Sequence, residues 1–304
     1  VEAGVYRPAA TVDDLPVPRA VVPALPVYPV FLDLPLLTGD EVEHAPHLAV
    51  AATPWPGTVA VFSSASAAGY ALDRLVTAPA VVGETLNVLA AAEAGIWDRG
   101  PDLLVRVAFG AFEAAEPASV LAGANAVAIG DGSAEGWEVF QFAGAELVGT
   151  GVYALRHRLR GQAGTDAEIS DRPAGSIVVL LNGAVGQVGL PASARGVARH
   201  WRIGPAARSY DDGAYTHRVE AFRGIGLRPY RPVHLRVREE GGALEVGWIR
   251  RTRIDGDGWE TEAPVGEAAE RYVVRVVRDG LVLREVEVGE PRWTYAAPMR
   301  AADG

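Results

Sequence analysis

Between Leu32 and about Gly226 the chain is a succession of short apolar runs, each closed by glycine or another turn residue. Thr58–Phe62, Leu103–Val107, Trp137–Phe142 and Ser176–Leu181 are rich in β-branched and aromatic side chains and read as strands. No stretch carries the 3.6-residue apolar period of a long amphipathic helix. Ala118–Ala128 offers one or two helical turns, weakened by a glycine and an asparagine. A chain punctuated this densely has sheets as its only way to bury apolar surface. The region is therefore expected to be all-β, as two small β-rich domains, 32–125 and 126–226, with a seam near Ala124–Gly130.

Beyond Leu227 the pattern changes. Arg228-Pro229-Tyr230-Arg231-Pro232 is stiff, and strict alternation follows in Val233–Val237 and Leu244–Trp248. Tyr272–Val277 and Leu281–Val286 flank Asp279-Gly280, a strong short-range hairpin signal. Residues 227–304 thus predict a small β-sandwich with Trp248 and Tyr272 in its core, on facing strands. At the other end, residues 1–31 carry Pro8, Pro16, Pro18, Pro23, Pro26 and Pro29. That spacing forbids a helix and predicts an extended arm that docks through Val21, Val22, Leu25, Val27, Tyr28 and Phe31.

Composition removes several function classes. The 304 residues include no cysteine, so disulfides, thiolate metal sites and cysteine nucleophiles are excluded. All 28 basic residues are arginine, which removes Schiff-base lysines, P-loop lysines and Ser-Lys dyads. A net charge of −10 argues against a general nucleic-acid surface. The acid surplus is uneven: residues 1–226 hold 24 acids against 15 arginines, and residues 227–304 hold 14 against 13. The longest stretches free of Asp, Glu and Arg, His44–Leu72 and Pro173–Ala194, are broken by prolines, glycines and polar residues, so a soluble chain is expected. Opening at Val1, with Met299 its single methionine, the chain reads as a segment of a longer polypeptide.

Chemistry-bearing patterns are few. Asp255-Gly256-Asp257-Gly258 suggests a calcium loop, but the sixth and twelfth positions hold Glu260 and Gly266, so it reads as a polar turn. His44 and His47 have the spacing of metal ligands but span Pro46 and lack companions, which makes them a solvated loop. Gly183, Gly186 and Gly189, like Gly224-Ile225-Gly226, lack a β-α-β context and read as turns. No GxSxG surrounds any serine. Arg250-Arg251-Thr252-Arg253 reads as a solvated strand end pairing with acids such as Asp255, Asp257 and Glu260; binding an anionic polymer is the other reading. No catalytic, cofactor-binding or metal-binding residue is assigned, and no cofactor.

Eight strings, in order, carry a family resemblance: Leu32–Leu37, Thr53–Gly57, Trp97–Gly100, Gly123–Ala126, Gly136–Phe142, Leu159–Thr165, Leu227–Tyr230 and Trp248–Asp257. With them the chain resembles the C-terminal part of the large baseplate hub, or megatron, proteins of gene transfer agents and related siphophages of alphaproteobacteria. The resemblance implies a structural virion component made in the bacterial cytoplasm: a homotrimeric hub at the tail tip that closes the tail tube. Implied partners are other hub, distal tail and fibre proteins and a host cell-surface glycan, with DNA passing through and no specific nucleic-acid binding. It also implies a fibronectin type III-like module over 227–304, and a glycosidase-like barrel only upstream of this segment. Two rival expectations are a cell-wall glycan hydrolase, which needs a carboxylate pair in a cleft, and a carbohydrate-binding module, which needs Trp and Tyr rings gathered in one groove.

Overall fold

The computed structural model describes residues 25–253, 256 and 263–304. As expected, the protein is built almost wholly of antiparallel sheets. Its first unit joins two of them. One sheet contains β1 (Tyr28–Leu32), β2 (His47–Ala51) and the short β12 (Gly186–Gln187). The other contains β3 (Val59–Ser64), β4 (Ala71–Val76), β13 (Arg199–Pro205) and β14 (Thr216–Glu220), in the order β14-β13-β3-β4. Phe31, Trp201 and Phe222 meet between these sheets at ring separations of 5.1–6.1 Å, with Val50, Val61 and Ile203 around them.

The second unit is a closed barrel. β5 (Val82–Thr85), β7 (Leu103–Val107), β8 (Ala126–Gly130), β9 (Glu138–Gly149), β10 (Val152–Gln162) and β11 (Ile177–Leu180) pair in the cycle β10-β7-β5-β11-β8-β9 and back to β10. The two-residue strand β6 (Trp97–Asp98) adds to the far end of β10. Alternate residues point inward: Val105 and Val107, Val127 and Ile129, Phe140 and Phe142, and Val178 fill the interior. Their outward neighbours Ala128, Val139 and Val179 pack with Trp137 against Val30, Leu32 and Ala49 of the first unit. The helix α1 (Pro117–Leu121) lays Val120 over Ala143 and Leu159 on the outside of the barrel.

This topology moves two expected boundaries. Barrel strands come from both sides of the seam at Ala124–Gly130, and Ala126–Gly130 is itself a stave, β8. The division falls instead between a barrel spanning Val82–Leu180 and a two-sheet unit made from the chain on either side of it. The arm is likewise shorter than residues 1–31. Val27 and Phe31 are in the core, and β1 pairs with β2 from Tyr28↔Ala51 to Leu32↔His47. Pro29 is accommodated because β1 is an edge strand, where a missing N–H costs no ladder bond. Val21 and Val22 lie outside the described residues.

Among the described residues the terminal module has five strands. β15 (Val233–Glu240), β16 (Ala243–Ile249) and β19 (Arg292–Tyr295) form one sheet; β17 (Tyr272–Arg278) and β18 (Leu281–Val288) form the Asp279-Gly280 hairpin. The short helix α2 (Ala297–Asp303) follows β19. Trp248 and Tyr272 meet across the two sheets at 5.1 Å and 72°. Both rings are half-buried, because a two-stranded sheet covers only part of a three-stranded one.

Candidate functional site

One end of the barrel interior is closed by charge. Arg158 lies opposite Phe142 in the β9–β10 register and so shares its inward face, and Arg160 follows two residues on. His157, at φ 49°, takes up the odd step between the inward-facing Leu155 and Arg158. Arg160 donates from Nε and Nη2 to the two carboxylate oxygens of Glu138 at 2.6 and 2.8 Å, and from Nη1 to the Ala90 carbonyl at 2.7 Å. Neither side chain of this pair is exposed to solvent at all. Arg158 donates to Asp98 Oδ2 at 2.9 Å and to the Leu155 carbonyl. Burial opposes the charge of Asp98, but the Arg158 and Gly100 donors and the nearby guanidinium groups outweigh it and hold its carboxyl below the ordinary range. These bonds fix the 90–98 segment, β9 and β10 to one another.

A second charged site joins the terminal module to the rest. Arg251 donates to Asp166 at 2.6 Å, lies over the Tyr230 ring and donates to the Arg231 carbonyl. Arg253 pairs with Glu267 at 2.8 Å and with Glu43 at 3.1 Å, and also donates to the Gly226 carbonyl. Arg250 pairs with Glu270 at 2.9 Å. The expectation of a solvated strand end is corrected: the Arg253 side chain is 6% exposed, and the cluster reaches both the barrel's Asp166 and the first unit's Glu43. Asp255, Asp257 and Glu260, the acids expected to pair with it, lie outside the described residues, as does most of the Asp255–Gly258 turn.

The remaining candidates separate. His44 sits in the loop before β2, its Nε2 2.9 Å from the Leu190 carbonyl. His47 is corrected from loop to strand: it is buried in β2, and burial lowers its pKa. Among the described residues no group of His, Asp or Glu is arranged to hold a metal. Gly224-Ile225-Gly226 forms a turn around Asp33, whose carboxylate accepts the backbone N–H groups of Arg223, Gly224 and Ile225 at 2.8–2.9 Å. Only glycine suits that turn, since a Cβ on Gly226 would lie 2.5 Å from the Glu43 carbonyl oxygen.

Beside this turn runs a polar cleft of about 590 Å³ that includes Asp33, Asp131, Glu135, Glu168 and Arg172 in its walls. Asp33 is spent on its three N–H donors, Asp131 accepts from Ser133, and Glu135 pairs with Arg223 at 3.0 Å. Three of its four acids are thus held in structural bonds. The terminal module has an apolar cleft of about 760 Å³ bordered by Tyr230, Trp248, Tyr272, Trp293 and Tyr295. Its rings pair with one another, Trp293 stacked on Tyr295 at 5.2 Å and Trp248 edge-on to Tyr272, and the intervening wall is largely aliphatic. That is the composition of a sandwich interior more than of a sugar platform.

Sequence reasoning passed over the ion cluster because arginines at alternate strand positions read as a solvated face. The one available signal was that Glu138 stands among the apolar residues of Trp137–Phe142. No helix among the described residues is long and apolar enough to cross a membrane. Comparison with known proteins gives one family match: residues 80–179 fit the model of the family described as Rcc01698-like, C-terminal. No curated protein matches the chain.

Proposed function

We propose that this chain is a structural part of a phage-like tail baseplate, belonging to the hub or tail tip that closes the tail tube and contacts host-recognition parts during DNA delivery. The observation that carries this reading is a coincidence of boundaries. The matched residues 80–179 are the closed barrel, from just before β5 to the third residue of β11, and the name of the matched family is consistent with gene transfer agent proteins.

The physical character of the molecule suits mechanical work. The barrel interior is filled with side chains and plugged by buried ion pairs, so it is a rigid block with no channel of its own. The arginine junction holds the terminal module against two other elements, which suits a part that transmits force. On this reading the chain is not an enzyme and needs no cofactor. It assembles as a homotrimer about the tail axis with other hub, distal tail and fibre proteins, in a virion-like particle. The acid surplus of residues 1–226, 24 acids against 15 arginines, then gives the ring a net negative charge that repels DNA phosphates.

Deleting the codons for residues 80–179 from the producing cell tests the role. The expected outcome is particles with filled heads that fail to deliver DNA, or heads without tails. Normal delivery by such particles would contradict the reading.

A further inference from the structure

The sheet β14-β13-β3-β4 brings two histidines together. In the β13–β14 register His200 lies opposite Val219 and Arg202 opposite His217. The two imidazoles are therefore diagonal neighbours on one face, reverse to the buried Trp201 and Ile203. Nδ1 of His200 stands 3.2 Å from Nε2 of His217, with the ring planes 12° from parallel and the centroids 5.4 Å apart. That centroid separation is close to the N···N distance plus the reach from each nitrogen to its ring centre, so the rings meet edge to edge. One imidazole must then donate an N–H to the lone pair of the other. A neutral pair makes this bond. A pair with one extra proton makes it more strongly, because an imidazolium then donates to a neutral ring. A second proton leaves no acceptor, and two cations face each other across the same gap.

The surroundings favour the singly bonded pair. Arg202 shares the face and lies over the Tyr70 ring. β3 contributes Ser64 and Phe62, opposite His200 and Arg202. The loop before β14 lays Tyr210 against Phe62 and Tyr70, and its Arg208 and Asp212 pair with each other. Arg199, Arg218 and Glu220 fall on the reverse face by the same alternation, where Arg218 pairs with Glu220. Burial, then the charges of Arg202 and His200, push the His217 imidazole below its ordinary value. An unfolded histidine titrates near 6.5, so this contribution to stability is whole above about pH 6.5 and is lost as pH falls.

The pair ties an edge strand to its neighbour: β14 bonds to β13 and, among the described residues, to nothing on its other side. Thr216, next to His217, donates from Oγ1 to the Val27 carbonyl at 2.7 Å, just before β1. We infer that His200 and His217 form an acid-sensitive clasp on β14. One N–H···N bond closes it near neutral pH; protonation of both rings opens it, loosening the edge strand and, through Thr216, its hold on Val27. The inference stands apart from the tail role, since it concerns a proton equilibrium within this chain.

The test uses the full chain, labelled with nitrogen-15 at histidine. NMR follows the ring nitrogens from about pH 8 to about pH 4.5, and mass spectrometry follows amide exchange of Thr216–Glu220 over the same range. The expected result is two coupled titration steps for the pair, the second below about pH 6. With it, β14 loses about fivefold in protection after correction for intrinsic exchange rates. His217→Gln, which can still hydrogen-bond but cannot take up charge, should keep its protection across the range. The buried His47 is untouched in that variant, so its own titration cancels from the comparison. Three results would overturn the inference. One is independent, single-step titration of the two rings, each near about pH 6.5. Another is acid loss of β14 protection that is the same in His217→Gln as in the parent. The third is a loss at the barrel strand β11 as large as that at β14, which would mean that the whole fold, and not the edge strand, opens.

Discussion

Replacing Glu138 by Ala tests whether the buried ion pair holds the barrel closed. The side chains of Glu138 and Arg160 are both fully buried, and the substitution removes two charge-assisted hydrogen bonds of 2.6 and 2.8 Å. Arg160 keeps the Ala90 carbonyl and a more distant Asp98 oxygen at 3.6 Å, so its charge is left only partly compensated. Breaking one partner of such a pair costs about 3–5 kcal/mol, whereas replacing both with apolar residues of similar size is close to neutral. The expectation is therefore a loss of about 3–5 kcal/mol for Glu138→Ala in urea unfolding, and recovery to within about 1–2 kcal/mol of the parent for Glu138→Leu/Arg160→Met. A loss below about 1 kcal/mol for the single variant would show that water or relaxation satisfies Arg160 and that the pair does not close the barrel. A double variant as damaged as the single one would show that shape, and not charge compensation, is what matters there.

Arg253→Ala should free the terminal module, costing about 2 kcal/mol of contact with the body and raising the mobility of residues 233–304 in NMR relaxation; unchanged tumbling would count against the junction. Gly204→Ala should cost about 1–3 kcal/mol in thermal unfolding, because the new Cβ would lie 2.5 Å from the buried Tyr215 ring, and a neutral result would mean that the ring moves aside freely. Burial, then the hydrogen bond its hydroxyl donates to Glu270, pushes the Tyr272 phenol up to about 12. An unfolded tyrosine ionises near 10, so this contribution is complete below pH of about 10 and is lost as pH rises toward about 12; Tyr272→Phe should remove that alkaline dependence, which spectrophotometric titration of the phenol checks.

The strands themselves were legible in the sequence because each is a local event. Leu103–Val107 and the Asp279-Gly280 hairpin are where alternation and turn chemistry place them. Barrel closure was not legible, since it depends on β10 pairing with β7 as well as with its hairpin partner β9, and no local pattern encodes that second, distant partner. β1 was absorbed into the proline arm because Pro26 and Pro29 argue against a strand, and an edge position is not visible until the sheet is known. At the candidate sites, Arg253 read as solvated because charge is usually outside, and Arg158 and Arg160 carried no signal that singled them out. Their burial follows from partners 14 to 210 residues distant in sequence, at Ala90, Asp98, Glu138, Glu267 and Glu43. The openness of the terminal cleft is a property of sheet widths, which strand counting alone does not supply.

The central claim, a structural role at the tail tip, is tested most directly by a cryo-electron microscopy reconstruction of the particle from producing cells. The account predicts three copies of the Val82–Leu180 barrel arranged about the tail axis at the tip, surrounding the DNA path. Single copies scattered over the capsid, or tail tips that lack the barrel altogether, would contradict it.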